Sequence, residues 1–327
     1  MAISRRTFTR GVAMALAVSV GGQVRAQQSR PIKPVKMITP YGAGGGADAV
    51  IRVIGADLER QLGQPFLVEN RPGAGTLIAA QAVANAEPDG HTFLMTGHNT
   101  HTVNPFIYAK LPYDPAKDFT PITIVSFASI LFAVSSSIGV KTVPEFINWV
   151  RSQKRDVTFG TWGVGGSPHL YGVLLAKQYG LPLIPVAFRG EHETIPEVLA
   201  GRVDATFGSP MAIEPHVQSG ALTALGMLGA QRFETMPDLP TFTEQGLVGY
   251  DLNGFIACWT TAKVPTPLLE TYVDAFAVAG RQPGLLRRLV EVGQVPVFSG
   301  PAELKKRVQE DAPRWKQLVE NAGIKPS

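Results

Sequence analysis

The chain has 327 residues, 30 basic and 26 acidic side chains, and a single cysteine. Four arginines (Arg5, Arg6, Arg10 and Arg25) fall in the first 26 residues, so the remainder balances at 26 against 26 and holds no basic excess for nucleic acid or anionic lipid. The lone Cys258, in the apolar run 255–259, excludes an intrachain disulfide and a thiolate cluster. Roughly 300 residues of mature chain exceed one ordinary core, so two lobes are expected.

Ser4-Arg5-Arg6-Thr7-Phe8 opens a charged segment, an apolar run covers 12–20, and small residues lead to Ala26. This is the plan of a signal peptide cleaved near Ala26, its apolar run well short of the ~20 residues that span a bilayer. The Arg-Arg pair in its S-R-R-x-F setting matches a twin-arginine signal; a Sec signal that contains two arginines is the alternative. Either route puts the mature chain outside the cytoplasm, in the periplasm.

Val35–Thr39 reads as a strand, broken by Pro40-Tyr41-Gly42-Ala43-Gly44-Gly45-Gly46, and a helix follows with Val50, Ile51, Ile54, Leu58 and Leu62 on one stripe. The plan repeats with a strand at 66–69, the loop Asn70-Arg71-Pro72-Gly73-Ala74-Gly75 and a helix over 76–86. A third strand at 92–96 ends in Gly97-His98-Asn99. Residues 104–121, rich in proline and aromatics, read as an ordered connection, and strands follow at 122–125 and 130–134. A second stretch has the same rhythm: a helix at Val143–Ser152, a strand at 157–160, the loop Thr161-Trp162-Gly163-Val164-Gly165-Gly166-Ser167 and a helix over 169–179. Strands at 184–186, 205–207 and 222–227 alternate with helices at 194–200 and 213–218. A strand at 255–260 and helices at 267–280, 285–292 and 302–322 close the chain. Such alternation predicts α/β lobes with a ligand at the carboxyl ends of the strands.

Glycine lets a loop turn sharply and approach a ligand, while a helix start presents unpaired N–H groups and the positive end of its dipole. The loops Gly42–Gly46 and Gly73-Ala74-Gly75, side by side, therefore predict a carboxylate or phosphate site; for the first, a tight turn alone is the alternative. Asp48 reads as favoured by the helix dipole rather than as a ligand contact. Thr76 can cap its helix or donate to the ligand. Thr96, Gly97 and Asn99 stand where the third strand ends, within reach of the same place. Ser167, before Pro168, reads as a helix cap or a ligand contact. His169 reads as a cap or packing residue, with ligand contact as the alternative. Asp204 either fixes backbone amides or accepts from a ligand donor. His98 and His101 lack the further partners a metal needs, so no metal is expected. Glu191, His192 and Glu193 read as a solvated loop; facing the cleft, the two glutamates would repel a second carboxylate and favour an amine or neutral tail.

Several motifs follow one another in a familiar order: Pro40-Tyr41-Gly42-Ala43-Gly44-Gly45, Glu69-Asn70-Arg71-Pro72-Gly73-Ala74-Gly75, Pro88-Asp89-Gly90, Leu111-Pro112-Tyr113-Asp114-Pro115 and Asp118-Phe119. Gly163-x-Gly165, His169-Leu170, Gly201-Arg202-Val203-Asp204, Pro237-Asp238-Leu239-Pro240-Thr241 and Gly323-Ile324 continue it. Over its whole mature length the chain resembles tripartite tricarboxylate transporter receptors, the Bug-type periplasmic solute-binding proteins. The resemblance implies an α/β receptor of Venus-flytrap type, with a mixed, mostly parallel sheet in each of two lobes, and no cofactor or chemistry of its own. Residues 27–126 with 252–327 form one lobe and 127–251 the other. Such a monomer captures a small carboxylate and hands it to two integral-membrane transporter subunits. Carried onto this chain, the ligand lies at Tyr41, Gly42, Ala43, Gly44 and Gly45, and at Gly73, Ala74, Gly75 and Thr76. The facing lobe adds Thr161, Gly163, Gly165, Ser167 and the neighbourhood of Asp204. The chain departs from the family at Thr76, where a further glycine is common, and at Arg189-Gly190-Glu191-His192-Glu193, where small or neutral residues are usual.

Two other classes compete. Residues 42–47 fit G-x-G-x-x-A after a strand, with Glu69 about 20 residues on, the fingerprint of an NAD(P)-dependent oxidoreductase. Against it, Pro40 interrupts the strand-to-glycine step, and Pro115 prevents the helix that would align Tyr113 with Lys117. Neither G-x-S-x-G nor H-E-x-x-H occurs. A ligand-sensing subunit of a membrane kinase would share the binding fold.

Overall fold

The computed structural model describes residues 30–326; the signal segment read in residues 1–26 lies outside them. In chain order, β1 (Val35–Thr39), α1 (Gly46–Leu62), β2 (Phe66–Asn70), α2 (Leu77–Ala84) and β3 (Thr92–Gly97) form two strand–loop–helix units and a third strand. Two short helices, α3 (Asn99–Thr102) and α4 (Asn104–Ile107), lead to β4 (Phe119–Ala128). The second unit holds β5 (Leu131–Ser135), α5 (Val143–Ser152), β6 (Val157–Thr161), α6 (Ser167–Tyr179), β7 (Leu183–Ala187), α7 (Glu191–Leu199), β8 (Ala205–Gly208), α8 (Pro210–Gln218) and β9 (Leu222–Met227). The chain returns with β10 (Phe255–Thr261), α9 (Thr266–Ala279), α10 (Pro283–Glu291), β11 (Gln294–Pro296) and α11 (Pro301–Ala322).

The strands make two mixed sheets, in the orders β11-β4-β10-β3-β1-β2 and β7-β6-β8-β5-β9. Pairing is parallel across β2-β1-β3 and β7-β6-β8 and antiparallel elsewhere, so the parallel part of each sheet is the part that feeds the glycine loops. β10, with every residue buried, lies between β3 and β4 and is apolar on both faces because helices cover it. The stripe on α1 buries Val50, Ile51, Ile54 and Leu58, and Gly63 ends the helix in the left-handed region (φ 71°) with its N–H on the Glu59 carbonyl. Thr142 caps α5 by accepting from the Glu145 amide at 3.2 Å. The expected connection at 104–121 opens with the helix α4; α3, just before it, and α4 are too short to show a period, and β11 is a three-residue strand with no sequence signal.

Two crossings join the lobes, and they lie against each other: the Ala128 amide donates to Gly254 O at 2.9 Å. The last helix does not belong wholly to the first lobe. Leu304 packs with Ile38, Leu94 and Trp259, whereas Trp315, Leu318 and Val319 bury among Leu170, Tyr171 and Tyr250 of the second lobe. A helix of 22 residues is about 33 Å long and outruns one lobe. Val103 and Ile107, beside β3 in sequence, join that same second core.

Candidate functional site

β1 and β2 are parallel neighbours in register, Thr39 opposite Asn70, so the two amino-terminal glycine loops emerge side by side. The Arg71 amide donates to Thr39 O at 2.7 Å and holds them together. In the first loop the Asp48 carboxylate is buried and accepts from Gly44 N (2.9 Å), Arg52 Nε (2.8 Å) and Asn70 Nδ2 (2.7 Å). Asn70 Nδ2 also donates to Tyr41 O at 2.9 Å, so a carboxylate and an amide stitch loop one to loop two. Burial alone would raise the Asp48 carboxyl, but hydrogen bonds from Arg52, Asn70 and Gly44 outweigh it and hold it below its ordinary value. Gly44 therefore has its N–H committed to Asp48 and serves the loop by its φ of 84°, a correction to its expected role as a ligand donor. Among the described residues the amides of Gly42, Ala43 and Gly46 have no acceptor. Gly45 precedes the helix as its cap residue.

In the second loop Gly73 (φ 121°) and Gly75 (φ 58°) take left-handed turns on either side of Ala74. The Tyr108 hydroxyl occupies the space a Cβ at Gly75 would need. The Thr76 hydroxyl does not cap α2; it contacts Thr100 Oγ1 at 2.9 Å, and Thr100 in turn contacts Thr96 Oγ1 at 2.7 Å. Gly97 leaves room for the Tyr41 phenol, which its amide hydrogen-bonds. Burial pushes the Tyr41 phenol up to about 12, so it stays protonated and able to donate.

The third glycine loop leaves β6 at Thr161, which is buried and accepts from the Phe188 amide through its carbonyl at 2.9 Å. Gly163 (φ 98°) and Gly165 (φ 78°) shape the loop. Gly165 accepts from Asn99 Nδ2 at 3.3 Å, and a Cβ there would strike Ile107, so the loop is seated on α3 and α4. His169 and Ser167 both bond within the protein here. His169 Nδ1 accepts from the Gly165 amide at 3.1 Å, so the ring ties down its own loop. Ser167 is the first helical residue, after the cap residue Gly166, and its hydroxyl meets His98 Nε2 at 3.1 Å. The Thr102 hydroxyl donates to His98 O (2.9 Å), leaving Nδ1 to donate to Thr102 Oγ1 (3.2 Å) and Nε2 to accept from Ser167. The Ser167 proton is therefore spent inside the protein.

Asp204 fixes a backbone amide, the first of the two roles open to it. It opens β8 at the end of the sheet opposite the loops, accepting from Arg155, from the Thr158 amide (2.8 Å) and from the Thr158 hydroxyl (3.1 Å). Burial pushes its carboxyl up, and the Arg155 and Thr158 bonds bring it below the ordinary value. Sequence reasoning missed Ser209 and Met211, which start α8 at the carboxyl end of β8: a Cβ at Gly46 would stand 3.8 Å from both Ser209 Oγ and Met211 Cε. This is where the lobes meet. Glu191 accepts from Ser209 N (2.8 Å) and Oγ (2.9 Å) beside it, whereas Glu193 turns outward to the Arg189 amide (3.1 Å). Trp162, also missed, holds its indole N–H buried without an acceptor among the described residues.

The residues offered for an oxidoreductase have other partners in the fold. Tyr113 is buried and donates to Thr100 O at 2.8 Å, while Lys117 is 82% exposed and paired with Asp114. Glu69, the acid of the dinucleotide fingerprint, is ion-paired with Arg71 at 2.7 Å. Among the described residues no three His, Cys, Asp or Glu side chains gather as a metal site, and no helix is long and apolar enough to cross a membrane. Two surface cavities, of about 170 and 250 Å3, are lined by residues such as Asp57, Arg60 and Arg288 or Lys33, Asp89 and His91, away from the glycine loops.

His98 and His101 turn to separate aromatic partners: His98 stacks on Trp315 (4.2 Å) and His101 on Trp259 (3.8 Å). Burial pushes both imidazoles down to about 3, with the Arg307 charge adding to it for His98. The unfolded chain, ionising near 6.5, takes up more protons between those values, so stability is complete above pH 6.5 and falls as pH drops towards 3. His101 Nε2 has no partner, so His101→Phe should keep the stack and lose only the titration. At pH 4.5 the variant should be about 2–3 kcal/mol more stable relative to wild type than at pH 7. Calorimetric Tm against pH measures this, and equal slopes for the two proteins would refute it.

Residues 50–324 match the family described as tripartite tricarboxylate transporter family receptor. A protein from the TAR-I ttuE-ttuC' intergenic region of Agrobacterium vitis is 29% identical over 302 residues, covering 91% of this chain and 87% of its own. Among solved structures, R. palustris Rpa4515 with adipate superposes with a TM-score of 0.85 at 28% identity, over 91% of this chain and 99% of that one. MatC from Rhodopseudomonas palustris with bound malate gives 0.80 at 29% identity, over 88% and 99%. The shared two-lobed architecture and the match through nearly all the described residues make this chain a member of the tripartite tricarboxylate transporter receptor family.

Proposed function

We propose that the chain is an extracytoplasmic solute-binding receptor, with no chemistry of its own, that captures a small organic carboxylate between its lobes as a monomer. It delivers that anion to the two integral-membrane subunits of a tripartite tricarboxylate-type transporter, and its amino-terminal signal takes it to the periplasm. The observation that carries the reading is the pair of adjoining turns after β1 and β2, where the Gly42, Ala43 and Gly46 amides lack acceptors among the described residues and Gly46 faces Ser209 and Met211 of the other lobe. Relatives of the same fold hold adipate and malate, both carboxylates, which supports an anion at this place.

The donors are neutral dipoles: free amides at a helix start and the protonated Tyr41 phenol. Charge-assisted hydrogen bonds contribute about 1.5–3 kcal/mol each. Offset by hinge ordering and desolvation, three or four of them reach about −8 kcal/mol, a micromolar Kd. At the Ser209 side the Glu191 carboxylate disfavours a second negative group, so a ligand with an amine or neutral far end suits that wall.

A thermal-shift screen followed by calorimetry tests the reading, using malate, adipate, monocarboxylates, amino acids and aromatic acids. At least one carboxylate should raise Tm by several degrees at saturation, since a ligand of the native state alone stabilises it. NAD(P) should give no saturable binding. No response to any carboxylate, or saturable nucleotide binding, would overturn the proposal.

A further inference from the structure

Thr76 stands in a conformation that suits glycine. Its φ of 83° and ψ of −7° lie in the left-handed region, where a β-branched residue is an outlier. Such strain persists only where surrounding contacts hold it. Here the contacts are made by the hydroxyl. Asn104 Nδ2, which can only donate, has three acceptors for two hydrogens, Gly75 O (2.9 Å), Thr76 Oγ1 (3.0 Å) and Tyr113 Oη (3.1 Å); Thr76 Oγ1 contacts Thr100 Oγ1 at 2.9 Å, and Thr100 Oγ1 contacts Thr96 Oγ1 at 2.7 Å.

The protons of this chain can be assigned by counting. Three hydroxyls carry three protons and share two contacts, so one proton is left over. If Thr76 donates towards Thr100 and Thr100 towards Thr96, the spare proton falls on Thr96, which is fully buried and has no other acceptor among the described residues. If both ends donate to Thr100, the spare proton falls on Thr100, equally buried. Each of these leaves a donor unpaired away from water, which is costly. The remaining order, Thr96 to Thr100 to Thr76, gives both fully buried protons an acceptor, Thr76 Oγ1 taking that of Thr100. It then leaves the spare proton on the half-buried residue that ends the second glycine loop.

We propose that the Thr76 hydroxyl is a specificity-determining donor to the ligand carboxylate, and that Thr100 is a positioning residue that directs its proton outward. The inference rests on the carboxylate reading of the site and adds to it a side-chain contact that a glycine at this position would lack. Polarisation along the chain strengthens the terminal donor.

The test is calorimetric titration of wild type and variants with acetate, malate and adipate, alongside Tm without ligand. Thr76→Gly should raise Tm, because glycine takes this φ without strain, while weakening binding about tenfold or more. Thr76→Val should weaken it as much with no gain in Tm. Thr100→Val should weaken binding several-fold, Thr100→Ser should restore it, and Thr76→Val/Thr100→Val should be no weaker than Thr76→Val alone. Unchanged affinity in both Thr76 variants, or additive losses in the double variant, would overturn this inference alone. A wild-type chain that takes up none of the three acids would overturn the carboxylate reading and this inference with it.

Discussion

Gly46→Leu is expected to abolish carboxylate capture, weakening it at least ~100-fold, while the chain stays folded; Gly46→Ala is expected to be nearly silent. The difference lies in a few ångströms. A Cβ at position 46 would stand 3.7 Å from Val292 O and 3.8 Å from Ser209 Oγ and Met211 Cε, ordinary contact that alanine can make. Leucine carries its branch further along the same direction, into the first turn of α8. That turn also packs on the other side of the junction, where Pro210 Cδ lies 2.7 Å from the place a Cβ on Gly293 would take. The larger side chain has room only if the lobes part. If the closed arrangement is thereby reduced below about 1% of the population, apparent affinity falls by the same factor, at least ~100-fold. Calorimetry with the best ligand of the screen measures the loss, and small-angle scattering reports the opening. Wild-type affinity in the leucine variant would show that this contact plays no part in capture.

The second large effect is on stability. Trp315→Ala should cost about 3–5 kcal/mol, the range for removing a buried tryptophan, and lower Tm by roughly 10 °C. Trp315 is fully buried, stacks on His98 at 4.2 Å and meets Tyr171 edge-on at 5.9 Å. It sits where α11 leaves the core of the first lobe for that of the second, so its loss opens a cavity at the junction rather than inside either sheet. Its indole N–H has no acceptor among the described residues, so no hydrogen bond with them is sacrificed and the cost is packing. Denaturant unfolding gives the number. A loss below 1 kcal/mol would mean that the second half of α11 does not tie the lobes together.

Much of the scaffold was legible because its signals are local. The stripe Val50, Ile51, Ile54 and Leu58 has the helical period, and the same residues are buried in α1. The glycine loops after β1, β2 and β6 were legible for a similar reason: Gly44, Gly73, Gly75, Gly163 and Gly165 stand at positive φ, where few other residues go. β11, α3 and α4 were not, since three or four residues carry no period.

Within the site, the sequence alone pointed to the loops after β1 and β2 as neighbours, and the parallel register of those strands sets them side by side. The sequence left open which atoms remain available, because that depends on partners far along the chain. Ser167 finds His98 and commits its proton to that hydrogen bond. Asp204 finds Arg155 at the far end of the sheet, while Gly44 gives its amide to Asp48. Ser209 and Met211, silent in the sequence, come to face Gly46 only when the two sheets are set against each other. Backbone conformation follows from neighbours a few residues away. Hydrogen-bond saturation and the fit between lobes follow from side chains that folding brings together, and only the tertiary structure decided those.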